Sequence, residues 1–264
     1  MSVSFDAAAI AAELLQAHRD GKNFEPLRPG SAPLSIEQGY EVQRCLVDRM
    51  CKEQATDVAG YKIGLTSRVM QEMCRISHPV YGCILRSRVA GSGFSAPLAA
   101  YGRLGIESEI AVRMGQDLPI GKQPPTLQQV AASIADVAVA LELVDDRHAS
   151  YDPLDAAWLV ADNAWNGGIV LGPWRPAPPD LGGRAGRLTV DGVVVDQGHV
   201  GTDGAHPFAS VAWLAAALAV RGQQLRRGDI VMTGSILGTR FPARTEHWRF
   251  EVDGLGEVEA KTLR

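Results

Sequence analysis

Two short apolar segments that carry glutamates constrain this chain more than any other feature of its sequence. The stretches Leu104–Val112 and Val137–Val144 are rich in β-branched and aliphatic residues, so both are predicted to be strands. Residues two apart in a strand share a face, which places Glu107 and Glu109 side by side, roughly 6–7 Å apart. Glu142 lies in the second segment, on a face otherwise formed by alanine and valine.

Carboxylates in such positions need a counter-charge if they are buried. Burying ionised carboxylates without partners is costly, and clustered carboxylates repel one another. A divalent cation removes both costs, and Mg²⁺ and Mn²⁺ prefer oxygen ligands. The alternative is that Glu107 and Glu109 form the solvated face of a half-exposed strand while Glu142 pairs with Arg147 or another cation. The E-x-E spacing by itself does not separate these two interpretations.

Five short motifs follow one another along the chain. They are Gly60–Ser67, Ile106–Ala111, Leu141–Arg147, Ala161–Ala164 followed by Gly167–Gly172, and Gly228–Ser235. In this order they resemble the hydratase/decarboxylase branch of the fumarylacetoacetate hydrolase superfamily, and the match runs in register from about residue 35 to the C-terminus. An ordered set of motifs is far more specific than any one of its members.

The resemblance implies a metal site and a catalytic lysine. In that family three glutamates bind Mg²⁺ or Mn²⁺ and the metal holds a 2-oxo acid, which makes Glu107, Glu109 and Glu142 the expected ligands. The resemblance also implies that Lys62, within the first predicted strand, carries a proton, with a pKa lowered by burial near the metal. The alternative is a lysine that extends to solvent.

Substrate contacts are expected directly after the first strand. Leu65, Thr66 and Ser67 offer main-chain amides and two hydroxyls that could hold a substrate carboxylate. A plain turn with Ser67 as a helix N-cap would use the same residues. The later motifs extend the expected substrate contacts to Asn163 and Ser235.

One position departs from the pattern of the family. Many hydratases of this group carry an acidic residue in a Pro-Asp-(Phe/Tyr)-Gly motif, whereas this chain has His78-Pro79-Val80-Tyr81-Gly82. Valine cannot relay a proton, so either His78 or water takes over that task, or the reaction needs one fewer acid. His78 is therefore a candidate catalytic residue.

The expected function is that of a divalent-metal-dependent lyase acting on unsaturated 2-oxo acids. The resemblance favours a 2-oxopent-4-enoate-type hydratase in the meta-cleavage catabolism of aromatic compounds. A 4-oxalocrotonate-type decarboxylase is the alternative, because both reactions share an enolate and a metal. Two further alternatives are a C–C hydrolase, for which no matching Glu/His pair is found near the N-terminus, and a non-catalytic binding protein of the same fold.

The predicted fold class is α+β: a mixed, β-rich fumarylacetoacetate hydrolase-like catalytic fold with a helical N-terminal segment. We place the helical segment at residues 1–55 and the metal-binding catalytic domain at residues 56–264. Apolar spacing, capping residues and prolines predict helices at 6–19, after Ser35, after Thr126, after Asp152-Pro153, and from Pro207 to a stop at Gly222. A hairpin is predicted at 187–197 around Asp191-Gly192.

The composition is that of an ordinary soluble protein. The chain has 264 residues, of which 46% are hydrophobic and 21% charged. A net charge of −4 without a basic cluster argues against nucleic-acid binding, and the apolar run Val211–Val220 is too short to span a bilayer. The four cysteines have no C-x-x-C spacing, and the N-terminus lacks a basic leader followed by an apolar core. We expect a cytoplasmic homo-oligomer with a small-molecule 2-oxo acid substrate and no nucleic-acid or membrane partner.

Overall fold

Two helices precede the first strand and the other described helices lie between strands. A computed structural model describes residues 5–26, 34–119, 121, 123–151, 154–178, 180–202 and 206–264. In this part of the chain the helices are α1 (Ala7–Arg19), α2 (Ile36–Glu53), α3 (Arg68–Met73), α4 (Leu127–Ser133), α5 (Ala156–Ala161) and α6 (Pro207–Val220). Short 3₁₀ turns lie at Arg86–Arg88, Leu98–Ala100 and Asn163–Trp165.

The strands form a large sheet and a small one. They are β1 (Val58–Gly64), β2 (Val80–Leu85), β3 (Val89–Gly91), β4 (Phe94–Pro97), β5 (Leu104–Met114), β6 (Ile134–Asp145), β7 (Asn166–Leu171), β8 (Arg175–Pro176), β9 (Ala185–Val190), β10 (Val193–His199), β11 (Ile230–Met232), β12 (Glu246–Val252) and β13 (Gly256–Leu263). The large sheet has the order β2-β1-β11-β5-β6-β7-β3, with β8 beside β6. The small sheet has the order β10-β9-β12-β13-β4.

The capping signals at Ser35 and Thr126 begin helices where they were predicted. Ser35 and Thr126 form complete capping boxes with the glutamines three residues later. Asp152 and Pro153 lie outside the described residues, and α5 begins at Ala156 with Asp155 as its N-cap. The α+β fold class is confirmed.

The hairpin and the stop of α6 are confirmed as well. Asp191 and Gly192 both have positive φ angles, of 50° and 81°, which is the geometry of a two-residue turn between β9 and β10. After α6, Gly222 has a φ of 69° and its N–H donates to Ala219 O over 3.0 Å, which closes the helix.

The centre of the large sheet joins distant parts of the chain. The short strand β11 pairs parallel to β1 and antiparallel to β5, so it lies between them. Because paired residues point to the same face, Lys62, Met232 and Ala111 share one face of the sheet. The long antiparallel pair of β5 and β6 continues that face.

The helices cover the large sheet and the small sheet packs beside it. Helix α2 packs against both α1 and α5, and its buried stripe includes Tyr40, Leu46 and Met50. Strands β12 and β13 lie against β6. Among the described helices, none has the length and apolar character that crossing a membrane requires.

Candidate active site

The pairing register of β5 and β6 brings the three predicted glutamates together. Glu107 lies directly opposite Glu142, and Glu109 lies two residues further along on the same face. One carboxylate oxygen from each glutamate lies within 4.8 Å of the others. Glu109 and Glu142 are fully buried, and Glu107 is half-buried. Across the described ranges, no other group of acidic, histidine or cysteine side chains has this spacing.

Each of the two buried carboxylates has one oxygen that is hydrogen-bonded and one that is not. The main-chain N–H of Gly234 donates to Glu109 Oε2 over 2.9 Å, and Asn166 Nδ2 donates to Glu142 Oε1 over 3.1 Å. Glu109 Oε1 and Glu142 Oε2 have no hydrogen-bond partner among the described residues. Unpaired buried oxygens are costly, whereas a hard divalent cation binds carboxylate oxygens. The donor set therefore fits such a cation.

Lys62 reaches the glutamates from β1. Its side chain is 6% exposed, and its Nζ lies 3.2 Å from Glu142 Oε1. The pairing of the strands explains the position of Lys62. Lys62 lies opposite Met232 of β11, which lies opposite Ala111 of β5, so all three side chains are on the same face as the glutamates. The burial of this side chain excludes the alternative of a lysine that extends to solvent.

Burial and mutual repulsion raise the pKa values of the buried carboxyls. Burial, followed by the charges of Glu142 and Glu107, raises the pKa of Glu109 well above its ordinary value. Burial also raises the pKa of Glu142, although Lys62 opposes this effect. For Lys62, burial acts to lower the pKa, but the attraction of the glutamates outweighs it and the pKa is raised. The expected lowering of the Lys62 pKa is therefore not produced by the protein groups alone.

Arg147 does not pair with Glu142, and the cation beside Glu142 is Lys62. Its Nη2 lies 2.5 Å from Asp162 Oδ2, and its Nη1 donates to Lys22 O over 3.1 Å. His18 Nε2 lies 2.7 Å from the other oxygen of Asp162. Both Arg147 and Asp162 are buried. This network connects the end of α1 to the segments that follow β6 and α5.

A cavity of about 380 Å³ opens beside the glutamates, and Lys62 and Glu107 line it. Four of the predicted substrate-contact residues also line this cavity: Leu65, Thr66, Ser67 and Ser235. A volume of this size lies within the range of roughly 300–1,000 Å³ that ligand sites occupy. The structure thus brings these four residues, the lysine and the glutamates into one region.

The turn that follows β1 is fixed by local contacts. Leu65 has a φ of 55°, and its carbonyl accepts a hydrogen bond of 2.9 Å from the side chain of Gln71. Ser67 is the N-cap of α3, as one interpretation predicted, and it also lines the cavity. Gly234 packs against this turn with a φ of 105°, and a Cβ there would lie 2.5 Å from Thr66 Cγ2. Only glycine fits this contact.

Two predicted site residues, Asn163 and His78, neither line the cavity nor belong to the glutamate cluster. Asn163 is buried, and both polar atoms of its side chain bond to Cys83: Oδ1 accepts from the main-chain N–H over 2.7 Å and Nδ2 donates to the carbonyl over 2.8 Å. Asn163 therefore holds the 3₁₀ turn against β2. His78 is exposed, with Nδ1 2.8 Å from Pro79 O. Val80, in contrast, is fully buried and lines the cavity.

Several residues of the site were missed by reasoning from the sequence. Thr239 Oγ1 donates to Glu107 Oε1 over 2.6 Å, and Asn166 holds Glu142 as described above. Trp165 also lines the cavity. These contacts join residues far apart in the chain, so no local motif marks them, although Asn166 lies just before one of the matching motifs.

Comparisons with known proteins agree on one family. Residues 67–262 match the family described as fumarylacetoacetate (FAA) hydrolase C-terminal. A 2-keto-4-pentenoate hydratase of Burkholderia vietnamiensis is 32% identical over 98% of this chain and 98% of its own. A 2-oxo-hept-4-ene-1,7-dioate hydratase of Escherichia coli is 33% identical over 96% of both chains.

A solved structure extends the agreement to the whole fold. The 4-oxalocrotonate decarboxylase of Pseudomonas putida G7, complexed with magnesium and adipate, superposes with a TM-score of 0.88. It is 26% identical and covers 97% of each chain. The mixed β-rich fold is therefore shared with an enzyme of known structure. On these matches, the chain belongs to the fumarylacetoacetate (FAA) hydrolase family.

Proposed function

We propose that the protein is a metal-dependent lyase that hydrates unsaturated 2-oxo acids of the 2-oxopent-4-enoate type. The observation that carries the proposal is the cluster of Glu107, Glu109 and Glu142, with Lys62 3.2 Å from Glu142 at the wall of a cavity. The names of the two hydratases that match nearly the full chain support the same reaction.

The metal site proposed is the glutamate cluster. Glu107, Glu109 and Glu142 would hold the cation, and the unpaired Glu109 Oε1 and Glu142 Oε2 support this choice. A bound Mg²⁺ or Mn²⁺ supplies Lewis-acid polarisation of the substrate's 2-oxo and carboxylate oxygens. Gly234, Asn166 and Thr239 hold the three carboxylates in place through the hydrogen bonds described above.

Lys62 is proposed as the proton carrier. Its Nζ is buried beside Glu142 and lines the cavity, so it can reach a bound substrate without crossing bulk water. An ammonium group in this position could donate a proton to the carbon chain of a bound substrate. The hydroxyls of Thr66 and Ser67 are proposed to hold the substrate carboxylate.

Decarboxylation of a 4-oxalocrotonate-type acid is the second candidate reaction. Two observations favour it: the structural match to a 4-oxalocrotonate decarboxylase, and an apolar Val80 buried in the cavity wall. Decarboxylation generates the enolate by losing CO₂ and needs one reprotonation, whereas hydration also has to activate water. A protein with Val80 in place of the acidic residue can still carry out the one reprotonation that decarboxylation needs.

The test is turnover of 2-hydroxypenta-2,4-dienoate, followed by the loss of ultraviolet absorbance of the dienol. We expect turnover with Mg²⁺ or Mn²⁺ and its loss after treatment with a chelator. Release of CO₂ from 2-oxohex-3-enedioate, measured in parallel, separates the decarboxylase from the hydratase. Binding of the 2-oxo acid without turnover of either compound would instead identify a non-catalytic binding protein. We also propose, from the resemblance to this family, that the protein is a cytoplasmic homo-oligomer with a role in aromatic catabolism.

A further inference from the structure

The cavity offers more space than a five-carbon acid fills. Its volume of about 380 Å³ corresponds to roughly a dozen water molecules, which exceeds the number of non-hydrogen atoms in 2-oxopent-4-enoate. Apolar side chains from the segments after Glu142 line it, among them Val144, Leu154, Leu159 and Trp165. The carbons of a substrate beyond the 2-oxo acid end would therefore contact apolar groups.

Three hydroxyl groups of the wall already donate to another protein group. Tyr151 OH donates to Asp146 Oδ2 over 3.0 Å, and Thr239 Oγ1 donates to Glu107 Oε1 over 2.6 Å. Ser235 Oγ donates over 2.6 Å to a main-chain carbonyl of its own loop. A second carboxylate on the substrate would need several donors at once. These hydroxyl protons are already used.

The charged residues of the cavity wall also disfavour a second carboxylate on the substrate. Among the lining residues that the structure describes, Lys62 is the one cation, and it lies 3.2 Å from Glu142. Asp196 also lines the cavity, paired at 3.0 Å with Arg240, which is not a lining residue. A carboxylate at the far end of a substrate would thus find no lining cation free to pair with it.

We infer that the tail of the preferred substrate is uncharged and apolar, longer than that of the five-carbon acid, and that dicarboxylic 2-oxo acids are disfavoured. The inference rests on the proposed function for the 2-oxo acid end and adds the chemical class of the tail. It also favours hydration over decarboxylation at this site, because the decarboxylase substrate carries a second carboxylate.

Binding of saturated 2-oxo acids tests the inference without requiring turnover. The probes are 2-oxopentanoate, 2-oxoheptanoate and 2-oxoheptanedioate, measured by calorimetry on the full chain in Mg²⁺. Two buried methylenes should lower the Kd from the first probe to the second by roughly fifteenfold, at about fourfold each. The dioate has the same carbon count as 2-oxoheptanoate and should bind on the order of tenfold more weakly or worse.

Charge variants at the cavity supply the matched comparison. Gln197 is exposed and lines the cavity, so Gln197→Arg adds a cation without disturbing the core. It should tighten binding of 2-oxoheptanedioate on the order of tenfold while 2-oxoheptanoate changes little. Gln197→Met is the neutral control and should leave the ratio of the two Kd values unchanged. Asp196→Asn removes the like charge and should shift the ratio in the same direction as Gln197→Arg.

The outcomes separate this inference from the proposed function. If the parent protein binds the dioate as tightly as 2-oxoheptanoate, or binds 2-oxoheptanoate no better than 2-oxopentanoate, the inference is overturned. If the predicted order of affinities holds but 2-hydroxypenta-2,4-dienoate is not turned over, the proposed reaction fails and the preference for an apolar tail stands.

Discussion

Replacing Asp162 by asparagine keeps the size of the side chain and removes the charge that joins α1 to the site region. Asp162 is fully buried between His18 and Arg147, at 2.7 Å and 2.5 Å. Arg147 is also buried, and in the variant its guanidinium keeps the bond to Lys22 O but loses its counter-charge. The variant therefore leaves a buried cation unpaired.

The size of the effect follows from that unpaired cation. Removing one partner of a buried ion pair costs about 3–5 kcal/mol. For a chain of this size each kcal/mol lowers Tm by about 2–4 °C, so Asp162→Asn should lower Tm by roughly 6–20 °C. Asp180→Asn is the matched control, because Asp180 also pairs with a histidine, His206, at 2.8 Å, but its side chain is 74% exposed. We expect its Tm to stay close to that of the parent.

The pH dependence of the effect gives a second check. Burial acts to raise the pKa of Asp162, but the charges of His18 and Arg147 outweigh it, so its pKa lies below the ordinary value of 3.8. The stabilisation by ionised Asp162 is thus fully present above about pH 4 and is lost as the pH falls through the lower folded-state pKa. The difference in Tm between the parent and Asp162→Asn, measured by circular dichroism, should have its largest value at pH 7 and should become smaller as the pH falls below about 4. Equal Tm losses for Asp162→Asn and Asp180→Asn would refute this reasoning.

Four further substitutions test the site itself. Glu142→Gln should weaken Mn²⁺ binding by roughly 100-fold or more, because loss of a group that only supports a metal ligand already costs roughly 10–100-fold in affinity. An unchanged Mn²⁺ affinity, measured by calorimetry, would show that Glu142 is not a ligand. Lys62→Met should lower kcat on the order of 10²-fold or more while Mn²⁺ still binds; an unchanged kcat would leave the lysine without a catalytic role. Val80→Asp should raise hydration of 2-oxopent-4-enoate at least about tenfold by restoring an acid, a prediction that fails if the parent already hydrates this acid rapidly. Gly234→Ala should lower both Mn²⁺ affinity and kcat/KM, because its Cβ would lie 2.5 Å from Thr66 Cγ2; a variant that behaves like the parent would show that the turn can move without cost.

The glutamates were predictable because they lie in ordered motifs that resemble those of a known family, whereas the E-x-E spacing by itself left two interpretations open. The pairing of Glu107 with Glu142 comes from the antiparallel register of β5 and β6, which the sequence alone does not specify. The capping boxes and the Asp191-Gly192 turn were predictable because each involves residues close together in sequence. The boundary at residues 55 and 56 stays a prediction.

The supporting contacts could not be derived from the sequence. Asn163 lies in a matching motif, yet its position in a left-handed turn, with a φ of 53°, directs its amide to Cys83 and not to the cavity. Thr239 contacts Glu107 across a long loop whose course depends on the packing of both sheets. Such contacts depend on tertiary structure, and no spacing rule anticipates them.

The position of β11 between β1 and β5 determines when the site can form during synthesis. Strand β1 is made early, but its parallel partner Ile230–Met232 is made only after strands β2 to β10. Parallel pairing of such distant segments is slow, because a long loop must close before any contact is gained. A nascent chain that ends before residue 230 would contain Lys62 and all three glutamates but lack the strand that lies between them. Assembly of the site therefore has to wait until residues 230–232 have left the ribosome.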